Sequence, residues 1–209
     1  MKVKHIFIIT LILISSLSCS NQTLGFKKYI LDDVGYVLIP NNMEMQTGAF
    51  RKGADRFFKE KFDIEPIANR VVFQPKGANQ FDESALANYA RVIIETYIGN
   101  YGDYENLVTN YTATKIELNE INNDFRKLNE EQIQKIGSKI IKWNSAKLVK
   151  INGVTALKLS YIRESVNSQN KPIVVEIYYH LQNNDRMHLL TVSYKQSEKN
   201  YGNLYFQKS

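Results

Sequence analysis

The sequence predicts an α+β fold, an antiparallel sheet with helices on both faces (an α/β/α sandwich). Two hairpin signatures in the last third, apolar residues on both faces of those hairpins, and helically spaced segments before them predict it. Asn152-Gly153 separates Ala146–Ile151 from Val154–Ile162, and Asn-Gly between such runs is the strongest short-range hairpin signal. A two-residue turn there pairs Leu148 with Leu157 and Ala146 with Leu159, and sets Tyr161 on the same face. Val149, Ile151, Val154, Ala156 and Ile162 take the other face. A second hairpin is expected from Ile173–Gln182 and Arg186–Lys195, turning at Asn183-Asn184, two residues that tolerate positive φ. Its register sets Val175 opposite Val192 and Ile177 opposite Leu190. The reverse face still holds Val174, Tyr178, Met187 and Leu189. A sheet with one solvated face alternates cleanly between apolar and polar. These hairpins do not, so both faces need cover.

The remaining elements follow in chain order. Phe26–Leu31 and Tyr36–Ile39 read as strands around the turn residues Asp32-Asp33-Val34-Gly35, closed by Pro40. A short helix is expected near Gly48–Phe62, with Ala54, Phe57, Phe58 and Phe62 inward, and Arg70–Phe73 is a strand stopped at Pro75. From Asp82 to Ile98, Leu86, Tyr89, Ala90, Ile93 and Tyr97 recur at helical steps and predict a helix, with Asp82 as N-cap and Gly99 just past the end. A second long helix is expected over Ile116–Ile136, with Ile121, Phe125, Leu128 and Ile136 on one side. Between them, Gly99–Tyr104 is a loop rich in Gly and Tyr, without the Gly-Lys-Ser/Thr ending of a phosphate-binding loop.

The N-terminus carries an address. Met1-Lys2-Val3-Lys4-His5 precedes the apolar run Ile6–Ile14, and Ser15-Ser16-Leu17-Ser18 leads to Cys19. A basic start, a short apolar core and small residues before a cut form a secretory signal. The apolar run is shorter than the ~20 residues a membrane-spanning helix needs. Cys19 is the only cysteine, and its place resembles that of the acylated first residue in bacterial lipoprotein signals, although Ser16 stands where that family usually has Leu. Ser16 and Ser18 also suit an ordinary signal peptidase. A lone Cys at the cut weighs for the lipoprotein. Residues 1–18 are then the signal, 19–25 the lipidated Cys and a short tether, and 26–209 a single domain.

Composition excludes several classes. One Cys allows no intramolecular disulfide and no Cys-based zinc site, and of three His only His180 and His188 lie beyond the signal. Removing residues 1–18 takes Lys2 and Lys4 and no acid, so the formal charge falls from +6 to +4. The charges are interspersed, with no block of the kind that marks a nucleic-acid arm. Nucleic acid is therefore not an expected partner. In the expected register His180 projects with Glu176 and Tyr178, and His188 with Val175, Ile177 and Tyr179 on the opposite face, so no metal is expected there. His188 is expected to pack near Tyr179. Glu176, Tyr178 and His180 share a face that could suggest acid–base chemistry, but no nucleophile of matched spacing accompanies them. They read instead as the polar end of a strand near solvent. Tyr101 and Tyr104 are the candidate binding residues, since aromatics with polar handles are enriched at interfaces. Trp143 reads as a half-buried edge residue.

The strand ending Val71-Val72-Phe73-Gln74-Pro75-Lys76-Gly77, the long helices, the Asn-Gly hairpin and the closing Arg186-Met187-His188-Leu189-Leu190-Thr191-Val192-Ser193-Tyr194 together resemble the uncharacterised bacteroidete-type lipoproteins with a PsbP-like (Ran-binding-protein/PsbP/DcrB-like) domain. The resemblance implies a noncatalytic binding or accessory role, no cofactor, and a final helix from Ser197-Glu198-Lys199-Asn200 packed on the sheet. It carries over no catalytic residue, so the chain is not expected to be an enzyme. The expectation is a cell-envelope protein, anchored in the membrane through acylated (palmitate-bearing) Cys19 and facing the periplasm or cell surface. Its partner would be an envelope protein or surface component. Alternatives are a structural or assembly factor of an envelope complex and, last, an enzyme.

Overall fold

The computed structural model describes residues 25–63, 69–107, 115–151, 153–166 and 172–198. Among them, strands β1 (Phe26–Leu31) and β2 (Gly35–Pro40) form a two-stranded antiparallel sheet. A second, seven-stranded sheet contains β3 (Met43–Met45), β4 (Arg70–Pro75), β5 (Ala90–Ile98), β6 (Ser138–Ile151), β7 (Val154–Ser165), β8 (Ile173–Asn183) and β9 (Arg186–Lys195). Its order is β3-β4-β5-β9-β8-β7-β6, and every neighbouring pair is antiparallel. The helices are α1 (Gly48–Phe62), α2 (Glu83–Ala87) and α3 (Lys115–Lys135). The chain is thus α+β and sheet-rich, with the two expected hairpins adjacent.

The segment expected as a helix over Asp82–Ile98 is mostly strand. Asp82 does cap a helix, its Oδ1 accepting from the Ser84 and Ala85 amides at 2.8 and 3.1 Å, but α2 ends at Ala87. From Ala90 onward, even positions Ala90, Val92, Ile94 and Thr96 are buried and odd positions less so. Period two with β-branched side chains favours a strand. Gly99 therefore closes no helix; its N–H donates to the Asp185 carbonyl at 2.8 Å.

Both hairpins form, with local differences in register. At the first, Ile151 pairs with Val154 and Leu148 with Leu157, and Gly153 has φ 83°. The expected pairing of Ala146 with Leu159 is replaced by a bulge, because the register shifts between Asn144 and Lys147. At the second, Asn183 pairs with Arg186, so the turn is Asn184-Asp185, with Asn184 at φ 52°. Val175 consequently faces Tyr194 and Ile177 faces Val192, two residues away from the expected partners. A shift of two leaves every side chain on its expected face. His180 pairs with Leu189, His188 with Leu181, and the two imidazoles stand on opposite faces.

The faces are covered by different elements. α3 lies on the face of Trp143 and His180: Asn122 Oδ1 accepts from Trp143 Nε1 at 2.8 Å, and the Phe125 ring meets His180 at 5.0 Å. Ile133 is buried, whereas Leu128, expected inward, is exposed. On the other face, over β4 and β5, the cover is the β1–β2 hairpin rather than a helix. Leu31 and Ile39 are buried with Met43, Phe73, Ala90, Val92 and Ile94, and Tyr29 meets Phe73 edge-on at 4.8 Å. Each such aliphatic side chain contributes ~1.5–3 kcal/mol on burial. α1 has the expected bounds and rests on the 3₁₀ turn Ala78–Gln80, with Phe50 5.4 Å from Phe81. Phe57, expected inward, is exposed. The expected C-terminal helix begins where Gln196–Glu198 form a 3₁₀ turn; residues 199–209 lie outside the described residues.

Candidate functional site

Side chains from β7, β8 and β9 meet in the interior of the α3 face. In the β7–β8 register Tyr161 faces Glu176 and Arg163 faces Val174, so Arg163 reaches Glu176 diagonally. Arg163 Nε donates to Glu176 Oε1 at 2.8 Å, its Nη1 to Ser138 Oγ at 3.4 Å, and its Nη2 to the Tyr89 hydroxyl at 3.3 Å. Ser193, directly across from Glu176 on β9, donates to the same Tyr89 hydroxyl at 3.1 Å. One guanidinium thereby joins groups from β6, β8 and the segment preceding β5. Next to it the Tyr161 and Tyr178 hydroxyls share a hydrogen bond of 2.8 Å, and the rings of Trp143, Tyr161 and Tyr178 stack in series at 5.6 and 5.7 Å.

Glu176, expected near solvent, is only 6% exposed. Burial raises its carboxyl above the ordinary value, and the Arg163 guanidinium opposes that rise. The Tyr89, Tyr161 and Tyr178 phenols are raised by burial as well, so each stays neutral and acts as donor or acceptor, not as a base. His180, beyond Tyr178 on the same face, is lowered by burial to about 4 and is a neutral imidazole against Phe125. The cluster holds a charge pair and neutral phenols in the buried sheet interior, each bonded within the chain. A buried pair of this kind persists when its remaining donors are also satisfied.

Of the residues singled out from sequence, Glu176, Tyr178 and His180 do converge on this face, but in the core rather than at its solvent end. His188 is on the opposite face: its Nδ1 lies 3.1 Å from Thr96 Oγ1, its cross-strand partner on β5, and on β8 it pairs with Leu181, two residues from Tyr179 on the same face. Tyr101 and Tyr104 belong to a tight turn fixed by Asp103 Oδ2, which accepts from the Asn100 amide at 2.6 Å. Tyr101 is 84% exposed, and Tyr104 is half-buried with its N–H donating to the Asn184 carbonyl at 2.8 Å. Cys19 lies outside the described residues. Arg163, Tyr89, Tyr161 and Ser193 were missed from sequence. The alternation Tyr161-Arg163 was visible, but what it faces depends on a β7–β8 register that no tight turn sets. Among the described residues, no three His, Cys, Asp or Glu side chains are grouped to hold a metal ion, and no helix is long and apolar enough to cross a membrane.

Comparison with known proteins finds no matching family model and no matching curated protein. Solved structures do match, among them these two. The crystal structure of a Bacteroides thetaiotaomicron protein matches with 8% identity and a TM-score of 0.41, over 87% of this chain and 46% of that one, so the chain spans about half its length. The solution structure of cyanobacterial PsbP (CyanoP) from Synechocystis matches with 11% identity and a TM-score of 0.43, over 87% of this chain and 86% of that one.

Proposed function

We propose that the chain is a membrane-tethered envelope lipoprotein whose PsbP-like domain acts as a noncatalytic binding or accessory module. The observation that carries the proposal is the place of Cys19. The chain's only cysteine ends a basic, apolar and small-residue run, and the first described strand, β1, begins at Phe26. Acyl chains on Cys19 would anchor the protein stably where one chain alone is marginal. The interior of the sheet favours a noncatalytic role, because the Glu176 carboxylate is engaged by Arg163 and the neighbouring phenols by one another. The reading takes residues 26–209 as a single domain with helices on both faces of its sheet. It places the protein in the cell envelope, facing the periplasm or cell surface, with an envelope protein or surface component as partner and Tyr101 and Tyr104 as the first residues to test for contact. Metabolic palmitate labelling tests the anchor: the wild type takes up label and Cys19→Ser does not. Label retained in Cys19→Ser overturns the reading.

A further inference from the structure

The β1–β2 hairpin is apolar on both sides. Its inner face supplies Leu31 and Ile39 to the core. Its outer face carries the register pairs Lys28–Leu38 and Ile30–Tyr36, and ends at Phe26 beside the buried Pro40. On that outer face Ile30 is 82% exposed, Tyr36 62% and Leu38 53%, with Phe26 at its edge. A stable two-stranded hairpin needs one apolar face, the one packed on the sheet. The second face therefore contributes nothing to the fold, and a contiguous exposed apolar patch marks an interaction surface.

We propose that this outer face rests on the lipid surface to which Cys19 is anchored. The inference rests on the lipoprotein reading above. Ser20–Gly25 spans at most ~20 Å when fully extended, so an acylated Cys19 holds the hairpin close to the bilayer. Gly25 is fixed at the Phe26–Pro40 end, its carbonyl accepting from the Asn41 amide at 2.9 Å, so the chain arrives from the anchor at one end of the patch. The chemistry fits an interface. Aliphatic Ile30 and Leu38 enter the acyl boundary, Tyr36 is a ring with a polar tip of the kind enriched at headgroup depth, and Lys28 keeps a flexible cation beside it, its Nζ 4.2 Å over the Tyr36 ring. Lys27, also at the anchor end, starts from the inner side, its Nζ 4.9 Å over the Tyr29 ring. The acids, Asp32 and Asp33, stand at the far turn, where Asp33 is paired with Arg186 at 3.3 Å. The anchor end is thus basic, which suits anionic headgroups.

The test uses the full-length acylated protein in vesicles of phosphatidylcholine and phosphatidylglycerol whose acyl chains carry bromine. Trp143, the only tryptophan, lies in β6 at the opposite edge of the large sheet and reports from there. A variant with Tyr36→Trp and Trp143→Phe moves the reporter to the hairpin. Lipid contact predicts fluorescence in that variant quenched roughly twofold or more relative to unbrominated vesicles, with little quenching of wild-type Trp143, since an interfacial face buries only ~5–10 Å deep. Ile30→Ser with Leu38→Ser, both at exposed positions, should lift the quenching while circular dichroism stays unchanged. Equal quenching of both reporters in protein that carries palmitate overturns the lipid contact and leaves the anchor standing. Absence of palmitate overturns both. A photo-crosslinker at position 38 that captures a protein in place of lipid in intact cells also overturns the assignment.

Discussion

His180 makes the fold sensitive to acid in a way that can be calculated. Its imidazole lies on β8 between Leu157 of β7 and Leu189 of β9, under the Phe125 ring of α3. Apolar neighbours on three sides supply no partner for a charge, and burial lowers its pKa from 6.5 to about 4. A folded-state value below the unfolded one favours the neutral ring in the native protein. Its contribution is therefore fully present above about pH 6.5 and is lost as the pH falls towards 4. Linkage puts the loss at ~2 kcal/mol by about pH 5 and ~3 kcal/mol by about pH 4. His188 is also lowered, chiefly by burial, and adds in the same direction; Glu176 is raised by burial and acts in the opposite one. A difference measurement removes both. Urea unfolding of the mature Cys19→Ser chain, followed by Trp143 fluorescence, should be compared with the same chain carrying His180→Phe. The phenylalanine variant should gain ~2–3 kcal/mol relative to its parent between neutral pH and about pH 4. Parallel stability curves would show that the imidazole is solvated when charged, and the burial argument would fail.

Two further substitutions probe the face beneath α3. Asn122 Oδ1 accepts from both Trp143 Nε1 at 2.8 Å and the Ala146 amide at 3.0 Å; Asn122→Ala leaves both donors without it and should cost ~2 kcal/mol with a shift in Trp143 emission, whereas Asn122→Asp keeps an acceptor and should cost less. Arg163→Met removes the charge opposite a buried carboxylate and should cost ~3–5 kcal/mol in the same urea assay, and a loss under ~1 kcal/mol would mean that Glu176 finds water or a proton cheaply.

Legibility from sequence followed the range of the forces involved. The Asn152-Gly153 hairpin was readable because a two-residue turn sets its pairing locally, and the register holds until the bulge near Ala146. The second hairpin was displaced because Asn183-Asn184-Asp185 contains two equivalent turn sites. Moving the turn by one residue shifts the pairing by two and keeps each face, so the hydrophobic pattern could not distinguish them. The helix expected through Ile98 failed for another reason. Leu86, Tyr89, Ala90, Ile93 and Tyr97 satisfy a helical stripe, but Ala90, Val92, Ile94 and Thr96 satisfy strand alternation over the same stretch, and β9 supplies the partner for it. That partner lies far along the chain, and no local signal announces it. The candidate site suffered the same way. Glu176 reads as near solvent because the β7–β8 register, which buries it against Arg163, depends on the connection between Ser165 and Ile173, longer than the two-residue loops that fix a pairing locally.

This points to what the buried network does for the fold. Sheet faces that are apolar on both sides tolerate a two-residue slip, since every side chain keeps its face. Between β7 and β8 such a slip moves Arg163 by ~7 Å along the strand. In one direction it parts Arg163 from Glu176 and strands a carboxylate in the interior. In the other it sets the two opposite each other but carries the guanidinium away from Tyr89, which Ser193 holds in place. Only one register satisfies all four groups. The pair thus acts on specificity more than on stability, for which well-packed apolar residues often serve as well. The double substitution Arg163→Met with Glu176→Leu should accordingly unfold within ~1–2 kcal/mol of the wild type, far less than Arg163→Met alone. Its amide spectrum should nevertheless show more than one set of signals for β7 and β8, from coexisting registers. A single set, with the cross-strand contacts that now join Tyr161 to position 176 and Leu159 to Tyr178, would show that apolar packing alone selects the register and that the charge pair is dispensable for it.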